Sequence, residues 1–96
     1  MSRIYNKDQN QNEIVDALEH CGIRVFNAAG VGNGFPDLVT GGIDRKTHEP
    51  KIILFEVKTP RGRLRPGQQM FLDEWAGLPV YVVKSVTEAL QHWGIT

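Results

Sequence analysis

The hydrophobic positions of this chain follow a helical period and a strand period in alternation. Between residues 8 and 21, Ile14, Ala17, Leu18 and Cys21 recur at helical spacing and Gly22 stops the pattern, which predicts a helix. Ile23-Arg24-Val25-Phe26 reads as a short strand. Asn27-Ala28-Ala29-Gly30-Val31-Gly32-Asn33-Gly34 is a small-residue loop; it lacks the strand-to-helix setting of a dinucleotide loop and the spacing of a P-loop. Asp37-Leu38-Val39-Thr40 reads as a second strand ended by Gly41-Gly42, and the polar stretch 43–50 suits a hairpin connection. Residues 51–59 form the most apolar strand, ended by Pro60. After a loop over 61–65, Pro66 suits the first turn of a helix running to about residue 76. Gln68, Phe71, Leu72 and Trp75 share one face of that helix, which is expected to point toward the core. Val80-Tyr81-Val82-Val83 is a fourth strand. Ser85-Val86-Thr87-Glu88 is a capping-box pattern for a last short helix through His92, which Gly94 ends. The order is α-β-β-β-α-β-α. With no repeats, linkers or low-complexity segments, residues 1–96 are expected to form one α/β domain.

Composition narrows the setting. Ninety-six residues suggest a single core, and 41% apolar with 23% charged residues is ordinary for a globular chain. No apolar span is long enough for a transmembrane helix, and the polar start Met1-Ser2-Arg3-Ile4-Tyr5-Asn6-Lys7-Asp8 lacks the apolar stretch of a signal peptide. One cysteine, Cys21, excludes an internal disulfide and a cysteine zinc cage, so a reducing cytoplasm is expected. Zero net charge argues against nonspecific coating of nucleic acid. However, Lys58, Arg61, Arg63 and Arg65 lie within eight residues with no acid between them. Such a patch would hold a phosphate backbone without a basic pI.

The apolar run Ile52-Ile53-Leu54-Phe55-Glu56-Val57-Lys58-Thr59 carries the candidate chemistry. Strand side chains alternate faces, so Glu56 and Lys58 point the same way. Charges rarely enter a core strand without partners. If 43–50 is a hairpin, Asp37 sits on the neighbouring strand. Two bare carboxylates repel unless a proton or a cation stands between them, and magnesium, a hard cation that keeps several waters, resolves this. The Val57 carbonyl would add a ligand, and Lys58 would orient an activated water or stabilise charge on a phosphate. The plainer reading is a Glu56–Lys58 ion pair on a half-exposed edge strand; Asp37 and the basic loop favour the catalytic one. Gln68 on the inward helix face would bond a water, a phosphate oxygen or a carboxylate, whereas Gln69 is expected in solvent. In the first helix, geometry favours Gln11, on the face of Ile14 and Leu18, and chemistry favours the carboxylate of Glu13. His20, His48 and His92 lack ligand spacing, there is no Gly-x-Ser-x-Gly elbow, and Cys21, Trp75 and Trp93 read as core or interface residues.

Gly34-Phe35-Pro36-Asp37-Leu38, Phe55-Glu56-Val57-Lys58 and Gly62-Arg63-Leu64-Arg65-Pro66-Gly67-Gln68 resemble the PD-(D/E)xK nuclease pattern. More narrowly they are similar to its VRR-NUC branch, in the short stand-alone form common in phages. The resemblance runs from the first helix through Val80–Val86 and so covers nearly the whole chain. It implies a restriction-endonuclease-like core, a mixed central sheet flanked by helices. It implies Mg2+ or Mn2+ on Asp37, Glu56 and the Val57 carbonyl, with Lys58 catalytic and Gln68 as the supporting glutamine. The family's first-helix acid would here be replaced by Gln11, or shifted to Glu13, which weakens the case for a second metal.

By the same resemblance the substrate is DNA, probed through shape rather than sequence. Branched DNA such as a Holliday junction, cut by a homodimer to leave 5′-phosphates, is the expectation. Arg61, Arg63 and Arg65 would hold the backbone, and Gly32 and Gly34 would let it approach. No organic cofactor and no membrane are implied, and the setting is the cytoplasm of a bacterium or a phage-infected cell. Two other readings share these residues. One is a non-catalytic DNA-binding or assembly module that kept the fold; the other is a nuclease for flaps or free ends.

Overall fold

The structure is a computed structural model and describes residues 6–95. Its elements are α1 (Lys7–His20), β1 (Arg24–Asn27), β2 (Leu38–Ile43), β3 (Pro50–Val57), α2 (Pro66–Glu74), β4 (Val80–Val83) and α3 (Val86–His92). Both helices of the core layer start at a side-chain cap. Asn6 accepts the Gln9 N–H at 2.8 Å for α1, and Ser85 accepts the Glu88 N–H at 3.1 Å for α3. Glu88 reaches back to the N–H of Lys84 rather than of Ser85, so the box closes one residue early.

The sheet order is β1-β2-β3-β4. The first two pairings are antiparallel and β3–β4 is parallel, which makes the sheet mixed. The β2–β3 turn is held by Asp44, whose carboxylate accepts the N–H groups of Lys46 and Thr47 and the Lys51 ammonium. These partners, the Lys51 hydrogen bond foremost, hold its pKa down at about 2. The parallel step from β3 to β4 requires a crossover, and α2 lies in it.

The core lies on one face of the sheet. Ile53, Phe55 and Val57 of β3, with Leu38 and Val83, pack against Ile14 and Leu18 of α1, Ala89 of α3, and Trp93. Trp93 is fully buried, and its Nε1 donates to Thr40 Oγ1 at 3.1 Å. The alternate positions, including Phe26, Val39, Ile43, Ile52, Leu54 and Glu56, take the other face.

Three sequence expectations change here. β1 starts one residue later than residue 23, because Ile23 is drawn into the core. β2 does not end at Gly41-Gly42 but runs to Ile43. A Cβ on Gly42 would fall 2.9 Å from Ile23 Cδ1 and 3.7 Å from the Trp93 ring, so that glycine makes room for the core rather than breaking a strand. Finally, no residue of α2 is buried, contrary to the expected core-facing stripe. Phe71 instead packs edge-on against Phe35 at 5.5 Å and stacks on Trp75 at 4.8 Å, so the helix leans on the loop before β2. Trp75 is thus not a core anchor. Among the described residues no helix is long and apolar enough to cross a membrane.

Candidate functional site

The site forms where β2 begins and β3 ends. Leu38 pairs with Phe55; one step further the register sets Asp37 opposite Glu56 and Pro36 opposite Val57. The N–H groups of Leu54 and Lys58 point to β4, bonding Pro79 and Val83 carbonyls, so those of the odd-numbered residues between them point to β2. At Val57 the ladder partner is a proline, which has no N–H to give. The Val57 N–H goes instead to a side chain: Asp37 Oδ2 accepts it at 2.9 Å. Pro36 leaves the Val57 carbonyl without a ladder donor.

Asp37 and Glu56 are 5% and 1% exposed, so two acids share one nearly dry corner. Burial, then a hydrogen bond and repulsion from Asp37, push the Glu56 pKa up to about 7, against the pull of Lys7 and Lys58. The pair draws positive charge to it. Lys7 supplies part of it, with Nζ 3.1 Å from Asp37 Oδ1 and 3.6 Å from Glu56 Oε2. Hard carboxylate oxygens, a carbonyl without a ladder donor and a cation drawn between the acids fit a divalent ion such as magnesium or manganese. Among the described residues no cluster of three or more His, Cys, Asp or Glu side chains exists, so such an ion would have to complete its shell with water.

Lys58 enters the same corner. Its Nζ donates to Gln68 Oε1 at 2.8 Å and stands 3.7 Å from Glu56 Oε2. Both ends of the Gln68 amide are engaged: Oε1 also accepts the Arg65 N–H at 2.8 Å, and Nε2 donates to Glu56 Oε2 at 3.3 Å. Two donors at one end and a carboxylate at the other fix its orientation. Exposed as a helix, α2 carries this side chain to the corner. Asn10, 1% exposed on the inner face of α1, steadies the strand end, its Nδ2 donating to the Lys58 carbonyl at 2.8 Å and the Lys84 carbonyl at 3.1 Å.

The position of α2 depends on Gly34. Its φ is +80°, and a Cβ there would fall 2.2 Å from the Gly67 carbonyl oxygen. Gly34 is therefore explained by the approach of α2, whatever else comes near it. Gly34→Ala is expected to cost about 2–3 kcal/mol, through a left-handed backbone and a backbone clash together. Gly32→Ala, at φ +77° with nothing within 4 Å, should cost only about 1 kcal/mol. Urea unfolding of the two variants side by side checks the difference.

The structure brings Asp37, Glu56, Val57, Lys58 and Gln68 into one corner. A cleft of about 360 Å³ opens onto it, lined by Lys7, Gly32, Gly34, Asp37, Lys58, Arg65 and Gln68 among others. Of the three loop arginines only Arg65 lines this cleft; Arg61 and Arg63 are exposed beside it. On α1, Gln11 is buried and shares a second cavity with Asp37 and Lys7. Glu13 is half-buried and lines neither cavity that contains Asp37. The geometry thus favours Gln11 over Glu13 as the first-helix neighbour of the site. Lys7 and Asn10 were not visible as site residues in the sequence. Asn10 carried a signal, a polar residue four before Ile14 on the apolar stripe; Lys7, a lysine in a first helical turn, carried none.

The family model of the VRR-NUC domain matches residues 2–87 of the chain. No curated protein and no solved structure matches it.

Proposed function

Because the chain belongs to the VRR-NUC domain family, a nuclease family, we propose that it is a metal-dependent, structure-selective DNA endonuclease that cuts branched DNA as a homodimer. The observation that carries this is the pairing of buried Asp37 and Glu56, with Lys58 and Gln68 locked beside them. Asp37, Glu56 and the Val57 carbonyl would hold one Mg2+ or Mn2+ ion. That ion supplies a water of lowered pKa and neutralises charge on the phosphate. Lys58 is aimed by Gln68 into the corner where the phosphate must lie, and its ammonium stabilises the charge that develops on the phosphate oxygens. Gln68 acts through Lys58 and Glu56, holding both in place. Arg65 at the cleft wall, with Arg61 and Arg63 outside it, would grip the backbone on either side of the cut and leave sequence unread. Gly32 keeps the opposite wall low, and Gly34 lets α2 close on it.

The homodimer is supported by the face of the sheet away from α1 and α3. Phe26, Ile43 and Ile52 stand there 67%, 50% and 64% exposed. A set of large apolar side chains sharing one sheet face is typical of an interaction surface, and zero net charge sets no repulsion between copies. A second copy of the chain is the occupant this face would take, and a dimer would set two cutting sites on one branched substrate. Phe26→Asp with Ile52→Lys should convert a dimer to a monomer in sedimentation. A wild-type chain that sediments as a monomer at tens of micromolar removes the dimer.

The test of function is cleavage of a four-way junction, a flap and a linear duplex side by side, in Mg2+, Mn2+ and chelator. Paired nicks in opposite strands of the junction, lost in chelator, are expected. Cutting only at flaps or ends makes it a different nuclease, and binding without cutting in either metal makes it a binding module.

A further inference from the structure

Lys7 is the first residue of α1 and stands at the rim of the candidate site. Its side chain is 38% exposed, against 8% for Asp37 and 2% for Glu56, so a solvent-edge ammonium reaches down onto two buried carboxylates. Among the described residues it is the one cation within 4 Å of both; Lys58 reaches only Glu56. A divalent ion held by those two carboxylates would compete with Lys7 for the same negative charge. The same lysine lines both the cleft with Lys58 and Arg65 and the cavity with Gln11. Its flexible four-carbon stem lets the ammonium swing between them.

We propose that Lys7 is a placeholder cation. It holds Asp37 and Glu56 together in the metal-free protein, yields the carboxylates to a divalent ion, and then contacts a DNA phosphate at the mouth of the cleft. This rests on the nuclease reading of the site. It adds an ammonium to what lets two acids share a dry corner before metal arrives. It also makes metal uptake and DNA grip two positions of one side chain.

Two measurements test it. The first is calorimetric titration of Mn2+, without DNA and at pH 8.5, into wild type, Lys7→Met and Lys46→Met. Lys7→Met should bind Mn2+ about tenfold more tightly, the effect of removing a competing charge worth about 1.4 kcal/mol; Lys46→Met, remote from the site, should match wild type. An affinity in Lys7→Met equal to or below wild type, where wild type binds Mn2+, overturns the placeholder and leaves the nuclease reading standing. No Mn2+ binding by wild type overturns both. The second is the salt dependence of junction binding in Mn2+, in a Lys58→Met background that prevents cutting. Adding Lys7→Met should flatten the slope of log K against log salt by about one. An unchanged slope removes the phosphate contact.

Discussion

Asp37→Asn and Lys58→Ala should each lower the cleavage rate at least about a thousandfold while leaving junction affinity within about threefold. A thousandfold corresponds to about 4 kcal/mol of transition-state stabilisation, within reach of a lost metal ligand or a lost cation at the reacting phosphate. Asparagine is close in shape to aspartate and can still accept the Val57 N–H that Asp37 accepts, so the strand end should survive. What goes is the negative charge that pairs with Lys7 now and would hold a divalent ion. Lys58→Ala removes a side chain that is 9% exposed, its ammonium held by Gln68 and therefore pre-aimed rather than wandering. DNA affinity should be spared, because it comes mostly from exposed cations along the backbone, such as Arg61, Arg63 and Arg65. Gln68→Ala should fall between these and wild type, about 10- to 100-fold down, since it positions Lys58 and Glu56 without touching the reacting atoms. Single-turnover cleavage with filter or anisotropy binding reads both quantities. If Lys58→Ala cuts at the wild-type rate, the assignment of the site is wrong.

The anomaly at Glu56 and Lys58 was legible because a strand has a period of two, so charge within an apolar run stands out. Asp37 became its partner on the sequence because a hairpin sets adjacent strands side by side. Pro36 carries a subtler message, a ladder that must stop at Val57, which needs the register to be read. Gly42 misled for the opposite reason: its cause lies in Ile23 and Trp93, distant in sequence, and local pattern treats any glycine pair as a stop. The apolar stripe on α2 was real, but it meets Phe35 and its own Trp75 rather than the core, and periodicity does not say what a stripe meets. Gln11 was favoured by phase and Glu13 by chemistry, and phase agrees with the side chain that shares a cavity with Asp37. Lys7 was illegible because its role depends on where the helix begins relative to two strands.

In chelator, the stability of the protein should fall as pH rises from about 5 to 8, and a saturating divalent ion should reverse the trend. The Glu56 pKa is about 7 in the folded chain against 4.5 for an unperturbed glutamate. Between these values the native state keeps a proton that the unfolded chain has released. Stability from this group is therefore complete below about pH 4.5, declines toward 7, and is lost above. His92 works the other way. Burial lowers its pKa below the usual 6.5, so it weakens the fold as pH drops beneath that value. Asp44, held at about 2, stays ionised throughout and adds no slope in this range. Glu56→Gln separates the contributions. It keeps the His92 trend and loses the Glu56 one, so the wild-type melting temperature should drop several degrees relative to the variant between pH 5 and 8. A metal binds the deprotonated pair and opposes that loss. At a hundred times its dissociation constant it adds about 2.7 kcal/mol, all of it at pH 8 and little at pH 5, where protons hold the carboxylate. Glu56→Gln should show neither the decline nor most of the rescue. Parallel pH slopes for wild type and Glu56→Gln in chelator would mean that the buried pair does not carry the shifted proton, and the electrostatic case for a divalent ion between Asp37 and Glu56 would go with it.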